Sequence, residues 1–230
     1  MTRARSGAPP ATKPLGILML DTRFPRIEGD IGNPASFDFP VIFRTMKGIG
    51  STDAVAAHPD RPRVLSALKA NAEALAADGA VGLSTSCGFL ALYQKDLEAL
   101  SPVPVATSAL LLIRTLKGRK VGVLTASAAN LTPAHFEAVD APPDTPVEGL
   151  PPDGSFAATF LRNGLTLDRD AVRRETVAAG KALLAKHSEV DTIVLECTNL
   201  PPYKGALEAA LGVPVFDVLD LLRDFRKRLG

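Results

Sequence analysis

Residues 87–105 read CGFLALYQKDLEALSPVPV, and residues 197–215 read CTNLPPYKGALEAALGVPV. A shift of 110 residues lays one stretch on the other. Cys87 falls on Cys197, Leu90 on Leu200, Tyr93 on Tyr203, Leu97-Glu98-Ala99 on Leu207-Glu208-Ala209, and Val103-Pro104-Val105 on Val213-Pro214-Val215. Just beyond, Leu111-Leu112 falls on Leu221-Leu222. The chain contains two cysteines and two tyrosines, and this one shift pairs both sets. Abundant Ala and Leu match by chance, whereas rare residues do not, so the pattern reads as an internal duplication. A weaker match lays Leu15-Gly16-Ile17-Leu18 on Val121-Gly122-Val123-Leu124 at a slightly smaller offset. Two copies of one unit are therefore expected, the first opening near Leu15 and the second near Val121.

Working outward, short apolar runs alternate with amphipathic ones. Leu15–Leu20, Val81–Ser84, Val103–Val105, Val121–Leu124, Ile193–Leu195 and Val213–Phe216 are brief, apolar and bounded by Gly, Pro or charge, as buried strands are. Residues 61–78, 107–117, 168–187 and 217–228 carry apolar side chains at helical spacing. Strands alternating with helices give a parallel α/β sheet. Each cysteine then follows a strand and precedes a helix, at the carboxyl end of the sheet where ligands bind. If the two units face each other, both thiols reach one cleft between the lobes.

Composition removes the main alternatives. The 230-residue chain has 46% hydrophobic residues, 22% charged residues and a formal net charge of +1. That length holds one large domain or two small ones. Near-neutral charge without a basic cluster argues against a nucleic-acid partner. No apolar run approaches the roughly 20 residues a membrane span needs. Residues 1–13 (MTRARSGAPPATK) lack the apolar core of a secretory signal and read as a flexible tail. Two cysteines without CxxC or metal-type spacing suggest free thiols and a cytoplasmic protein.

A thiol at a strand-to-helix turn lies near amides whose partial positive charge favours thiolate. Its neighbours in Ser86-Cys87-Gly88 and Glu196-Cys197-Thr198-Asn199 are small or hydrogen-bonding, which suits a carboxylate held beside sulfur. Two opposed acid/base groups suit inversion of a stereocentre, one removing a proton from one face while the other delivers a proton to the opposite face.

These segments, Ser84-Thr85-Ser86-Cys87-Gly88-Phe89 and Glu196-Cys197-Thr198-Asn199-Leu200-Pro201-Pro202-Tyr203, together with Gly16-Ile17-Leu18-Met19-Leu20-Asp21, resemble the aspartate/glutamate racemase superfamily. That superfamily includes cofactor-independent amino-acid and hydantoin racemases, arylmalonate decarboxylase and maleate isomerase. The resemblance runs from about Leu15 to the C-terminus. It implies two pseudo-symmetric Rossmann-like lobes with the active site in the cleft between them. It further implies no pyridoxal phosphate and no metal, and a homodimer as a family-level expectation. The implied division is an N-terminal lobe of residues 14–109 plus 213–230 and a C-terminal lobe of residues 110–212. By position, Cys87 and Cys197 are the two acid/base thiols. Asp21 matches the acidic residue near the substrate amino group, and Thr125 and Ser127 match carboxylate-binding hydroxyls. Gly88, Phe89, Thr198 and Asn199 complete the substrate-binding set beside the thiols. Gly88-Phe89 stands where glutamate racemases have Asn-Thr, and Asn199 stands where they have His, which leaves the substrate side chain open. The decarboxylase branch keeps a single catalytic cysteine, so two cysteines argue against simple decarboxylation.

The expected activity is thus cofactor-independent racemisation or epimerisation of a small amino acid or related carboxylated substrate. Maleate-type cis-trans isomerisation, which needs one nucleophilic cysteine, is the alternative. A two-lobed binding protein without chemistry is the third. The long Gly/Pro-rich stretch Thr22 to Pro40 carries Arg23 and Arg26, either substrate-binding or solvated. His58, His135 and His187 each read as structural.

Overall fold

The computed structural model describes residues 13–230. The expected tail, apart from Lys13, lies outside the described residues. The element order is β1 (Leu15–Leu20), β2 (Val41–Met46), α1 (Ser51–Ala54), α2 (Arg61–Ala77), β3 (Leu83–Thr85), α3 (Gln94–Leu100) and β4 (Val105–Ala106), then β5 (Val121–Thr125), α4 (Pro133–Glu137), β6 (Val147–Gly149), α5 (Arg169–Lys186), β7 (Thr192–Leu195), α6 (Lys204–Leu211), β8 (Val215–Phe216) and α7 (Val218–Arg228). The strands form two four-stranded parallel sheets ordered β2-β1-β3-β4 and β6-β5-β7-β8. The second order is the first with every strand number raised by four, which is the duplication expressed as topology. No helix among the described residues is long and apolar enough to cross a membrane.

Both central strands are buried along their whole length, as a parallel strand covered on two faces must be. Each carries a glycine for the same packing reason. A Cβ on Gly16 would come within 2.7 Å of Leu83 and 3.1 Å of Leu75 on α2. A Cβ on Gly122 would come within 2.8 Å of Leu183 on α5. The covering helices start on matching caps, with Asp60 accepting from Arg63 N–H and Asp168 from Ala171 N–H. On α2, Val64, Leu68, Ala72 and Leu75 repeat at helical spacing and form its buried stripe.

The lobes interleave, with one change from the expected boundary. Residues 109–117, expected as part of a helix, form a 3-10 segment over Ala109–Thr115 that packs against β7 of the other lobe. Val213–Phe216 was expected to return to the first lobe. Instead Val215 and Phe216 pair in parallel with Ile193 and Val194, and Ile193 N–H donates to Pro214 O at 3.0 Å. The crossing back therefore begins only with α7. Its Phe225 and the following Leu229 pack against Gly82, where a Cβ would meet Leu229 at 2.6 Å.

The stretch between β1 and β2 is an ordered layer seated on the second lobe. Ile31 is fully buried, and its N–H reaches Thr198 O at 3.4 Å. Asn33 caps a short 3-10 turn, Pro34–Ser36, and Gly29 adopts φ +94°, a left-handed value open to glycine, against Pro202.

Candidate active site

Cys87 and Cys197 occupy equivalent turns. Cys87 follows β3 and caps the 3-10 segment Gly88–Tyr93, with Leu90 N–H on its carbonyl at 3.1 Å. Cys197 follows β7, with Leu200 N–H on its carbonyl at the same 3.1 Å. The residue before each is anchored alike: Ser86 N–H donates to Leu18 O and Glu196 N–H to Leu124 O, both at 2.9 Å. The turns face each other across the lobe boundary, where the Thr198 hydroxyl donates to Ser86 O at 2.7 Å. Gly88 packs so tightly on Glu196 that a Cβ would lie 2.1 Å from its backbone oxygen and 2.3 Å from Oε1.

Both thiols are free and buried, and both line one narrow pocket with a cavity volume of about 20 Å³. The first lobe contributes Phe24, Ser51, Ser86, Gly88 and Phe89, and the second contributes Phe156, Phe160, Thr198 and Asn199. The far wall is aromatic: Phe24 meets Phe160 edge-on at 4.9 Å, and Phe160 meets Phe156 at 4.7 Å. Among the described residues, no lysine or arginine lines this pocket. Arg26 instead pairs with buried Asp30 at 2.7 Å and lies over the Phe24 ring. Asp30 in turn accepts from Asn199 Nδ2 at 2.6 Å, and Asn199 Oδ1 accepts the Cys197 thiol at 3.7 Å.

The electrostatics differ from the expectation that the turn amides tip the thiols toward thiolate. Burial pushes Cys87 up to about 12, reinforced by the Glu196 charge, while the N–H groups of Phe89 and Leu90 act in the opposite direction. Cys197 is raised well above the ordinary thiol range, again by burial first and Glu196 second, and only the Asn199 N–H opposes among backbone amides. Desolvation outweighs the turn amides and favours the protonated form of both thiols. Glu196, fully buried beside them, is raised to about 8 by burial. The Thr125 hydroxyl donates to its Oε2 at 2.7 Å, which works against that rise, and its Oε1 has no partner.

Six of the nine sequence-derived site residues, Cys87, Gly88, Phe89, Cys197, Thr198 and Asn199, line the pocket. Three do not. Asp21 turns outward with its side chain 37% exposed, where it accepts from Gly48 N–H at 3.0 Å and faces Lys47. That N–H is the main cause of its lowered pKa. Thr125 is buried beneath the site and spends its hydroxyl on Glu196. Ser127 is partly exposed after β5, and its carbonyl closes a turn with Asn130 and Leu131. Arg23 likewise lies outside, its N–H on Asn163 Oδ1 at 2.7 Å. His135 is structural, bonded to Thr132 and edge-on to Phe89. Sequence reasoning did not single out buried Glu196, Asp30 or the three wall phenylalanines. A signal for Glu196 was present: its partner under the 110-residue shift is Ser86, so one lobe carries a carboxylate where the other has a hydroxyl.

Two four-stranded parallel lobes define a fold shared with known proteins. The family model for Asp/Glu/Hydantoin racemase matches residues 106–223, and the chain belongs to that family. Among solved structures, a glycine-to-cysteine variant of arylmalonate decarboxylase superposes with a TM-score of 0.63 at 20% identity, covering 94% of this chain and 93% of that one. Glutamate racemase from Francisella tularensis, solved with D-glutamate, superposes with a TM-score of 0.55 at 16% identity over 95% and 83%. The family is enzymatic, and these neighbours share its two-lobed fold. In sequence, a dimethylsulfoniopropionate lyase of Durusdinium sp. clade D is 28% identical over 89% of this chain and 71% of its own. Dimethylsulfoniopropionate lyase 5 of Emiliania huxleyi is 31% identical over 92% of this chain. The chain spans 44% of that relative's length.

Proposed function

We propose that this protein is a cofactor-independent, thiol-based enzyme that removes a proton from the carbon next to a carboxylate, and that its reaction is β-elimination from a small carboxylate bearing a cationic leaving group, of the dimethylsulfoniopropionate type. The observation that carries the reading is the pocket lining: two thiols, an aromatic wall and, among the described residues, no lysine or arginine. A dicarboxylate such as aspartate, glutamate or maleate would bury a second negative charge there without a cation to pair it, which is costly. A substrate with one carboxylate and one onium group fits better, because aromatic rings such as Phe156 and Phe160 attract a cation that cannot hydrogen-bond. The two relatives described above, with their lyase names, support the same choice.

Cationic substrate also answers the protonated resting thiols, since a positive charge in the pocket favours the thiolate. Cys87 is the base in this reading, because two backbone N–H groups oppose the rise of its pKa while one does so at Cys197. As substrate binds, the Cys87 thiol gives up its proton to water; the thiolate then takes the α-proton, the α–β double bond forms, and the bond from the β-carbon to sulfur breaks. Dimethyl sulfide then leaves with the bonding pair and acrylate remains. Cys197 stays protonated and gives a hydrogen bond on the opposite side. Two free thiols suit a reducing, cytoplasmic setting.

Two-thiol racemisation is the second reading, favoured by the equivalence of the two cysteine turns. One experiment separates them. Purified protein is given dimethylsulfoniopropionate, and separately single enantiomers of aspartate, glutamate and a hydantoin in deuterium oxide. Gas chromatography follows dimethyl sulfide, and NMR follows acrylate and α-deuteration. Sulfide and acrylate release is expected. Deuterated, racemised amino acid without sulfide would replace elimination by racemisation.

A further inference from the structure

The β1–β2 stretch belongs to the first lobe, yet one of its side chains is tied to the thiol of the second. Asp30 is buried, and both of its carboxylate oxygens are hydrogen-bonded. Oδ1 accepts from Arg26 Nη1 and from Gly32 N–H, each at 2.7 Å, and Oδ2 accepts from Asn199 Nδ2 at 2.6 Å. The local chain is shaped around this carboxylate. Arg26 Nη2 donates to the Thr22 hydroxyl at 3.0 Å, and Asn33 Nδ2 donates to Arg26 O at 3.0 Å. Position 32 is glycine, and a Cβ there would run into the Arg26 side chain. Beyond Asn199 the run of bonds ends on sulfur, where the Cys197 thiol donates to Asn199 Oδ1 at 3.7 Å.

A side-chain amide donates at one end and accepts at the other. The Asp30 carboxylate, paired with Arg26, can only accept, so it draws the NH2 end of Asn199 to itself and leaves the carbonyl end for Cys197. An acceptor facing a thiol favours its protonated form, whereas an N–H donor there would favour thiolate. The first lobe lacks this device, because the residue that the 110-residue shift lays on Asn199 is Phe89.

We propose that Asp30 is a positioning residue that assigns a proton to Cys197, by fixing the Asn199 amide so that its oxygen faces the sulfur. This rests on the thiol-base reading of the site, and it supplies a cause for the division of labour: Cys87 is the base because Cys197 is held as a thiol from outside its own turn. The titratable groups acting on Cys197 are Glu196, Cys87 and Asp30. Of these three, Asp30 is the one linked to its sulfur through hydrogen bonds.

The geometry dictates what a change at position 30 does. In D30N the new amide must give its oxygen to Arg26 and Gly32, whose donors meet at one corner, and this turns its NH2 group on Asn199. Asn199 then flips, offering its oxygen to position 30 and its NH2 group to Cys197. The swap D30N/N199D undoes the flip, because a carboxylate at position 199 accepts from the amide and from the thiol at once.

Raman spectroscopy of the S–H stretching band tests this without substrate, in the full chain carrying C87S so that Cys197 is the one remaining thiol. With Asp30 in place the band is expected at the lowered frequency of a donating S–H. D30N shifts it up to the frequency of a thiol without an acceptor, and D30N/N199D brings it back. A tether with no hold on the amide would lower the melting temperature of D30N and leave the band in place, which overturns the proposal. A band that shows no donation with Asp30 present overturns it as well. If D30N does not fold, the swap decides: cooperative melting with a donating thiol is expected, and a swap that folds no better than D30N overturns the proposal. Because the readout needs no turnover, the two ideas fail separately. A shifted band in D30N, with no sulfide formed from dimethylsulfoniopropionate by the wild-type protein, removes the elimination reading and keeps Asp30. An unmoved band removes Asp30 even if sulfide is released.

Discussion

The two cysteine turns share a backbone and differ in side chains. Cys87 sits between Ser86 and Gly88, with two N–H groups aimed at its sulfur and no side-chain partner for its thiol. Cys197 sits between Glu196 and Thr198, and its thiol is engaged by Asn199, itself tied to Asp30 and Arg26. The repeated topology gives the two thiols equivalent backbone positions, and the neighbouring side chains make them unequal. Burial raises both thiols, and two amides oppose that rise at Cys87 against one at Cys197. A symmetric pair would suit a racemase, where the thiols exchange roles with direction. An unequal pair suits a reaction that runs one way.

The largest effect that tests this contrast comes from the sulfurs themselves. C87S is expected to lower elimination by about 1,000-fold or more, since a serine hydroxyl is a far weaker base. C197S is expected to lose about 10- to 100-fold, the cost of a replaceable hydrogen bond. Steady-state rates at neutral pH decide it: equal losses would restore the symmetric, role-exchanging pair.

Packing gives the next contrast. Gly88 and Thr198 are partners under the 110-residue shift, yet only the second lobe tolerates a side chain there. Gly88→Ala forces a methyl group against Glu196 O and Oε1 and is expected to destabilise the fold by about 1–3 kcal/mol. Thr198→Val removes one hydrogen bond to Ser86 O and is expected to cost about 1 kcal/mol. Urea unfolding of both variants checks the order, and a harmless Gly88→Ala would mean the lobes are not pressed together at this point.

Glu196 adds a pH contrast. Burial lifts its pKa in the fold to about 8 from the 4.5 of an ordinary glutamate, so between those values the native state binds a proton that the unfolded chain has released. Stability from this group is therefore full below 4.5, declines as pH rises to about 8 and is flat beyond. At about 1.4 kcal/mol per pKa unit, the decline is a few kcal/mol. Thermal melts of wild type and E196Q across that range are expected to diverge, with the Gln variant flatter. Parallel melting curves would place the proton elsewhere.

The sequence made these turns legible because rare residues marked them and because continuous apolar runs, LGILML and VGVLT, can only be central strands. The sheet order and the long helices on Gly16 and Gly122 follow from the same repeat. β2 was not legible: VIFRTM is half-exposed at a sheet edge and lacks a continuous apolar signature. The segment Ala109–Thr115 is apolar on all sides because both lobes cover it, which hides its period. Within the site, hydrogen-bonding neighbours of each cysteine were readable from the motif. Phe24, Phe156 and Phe160 were not, since they come from connecting segments that only tertiary packing brings together. The ends of the two central strands misled for a related reason. A residue after a parallel strand lies at the ligand-binding end of the sheet, but which way its side chain turns depends on local donors.

That point yields the smallest expected effect. Asp21 and Ser127 are the matching residues beyond β1 and β5 under the offset that aligns Gly16 with Gly122. The resemblance assigned both to substrate. In the fold Asp21 is held outward by Gly48 N–H, and Ser127 lines no wall of the pocket. A substrate cation drawn to Asp21 would first have to break the bond to Gly48 and compete with Lys47 at 3.6 Å. D21N keeps an oxygen acceptor for Gly48 and removes only the charge, so it is expected to leave kcat/KM within about threefold, and S127A less still, as surface changes away from a site do. A loss of about 100-fold in D21N would mean that the side chain swings inward on binding, a step of general-base size. The first strand end would then join the Cys87 turn as a charged wall, and the inequality between the lobes would begin at β1 and not at the thiols.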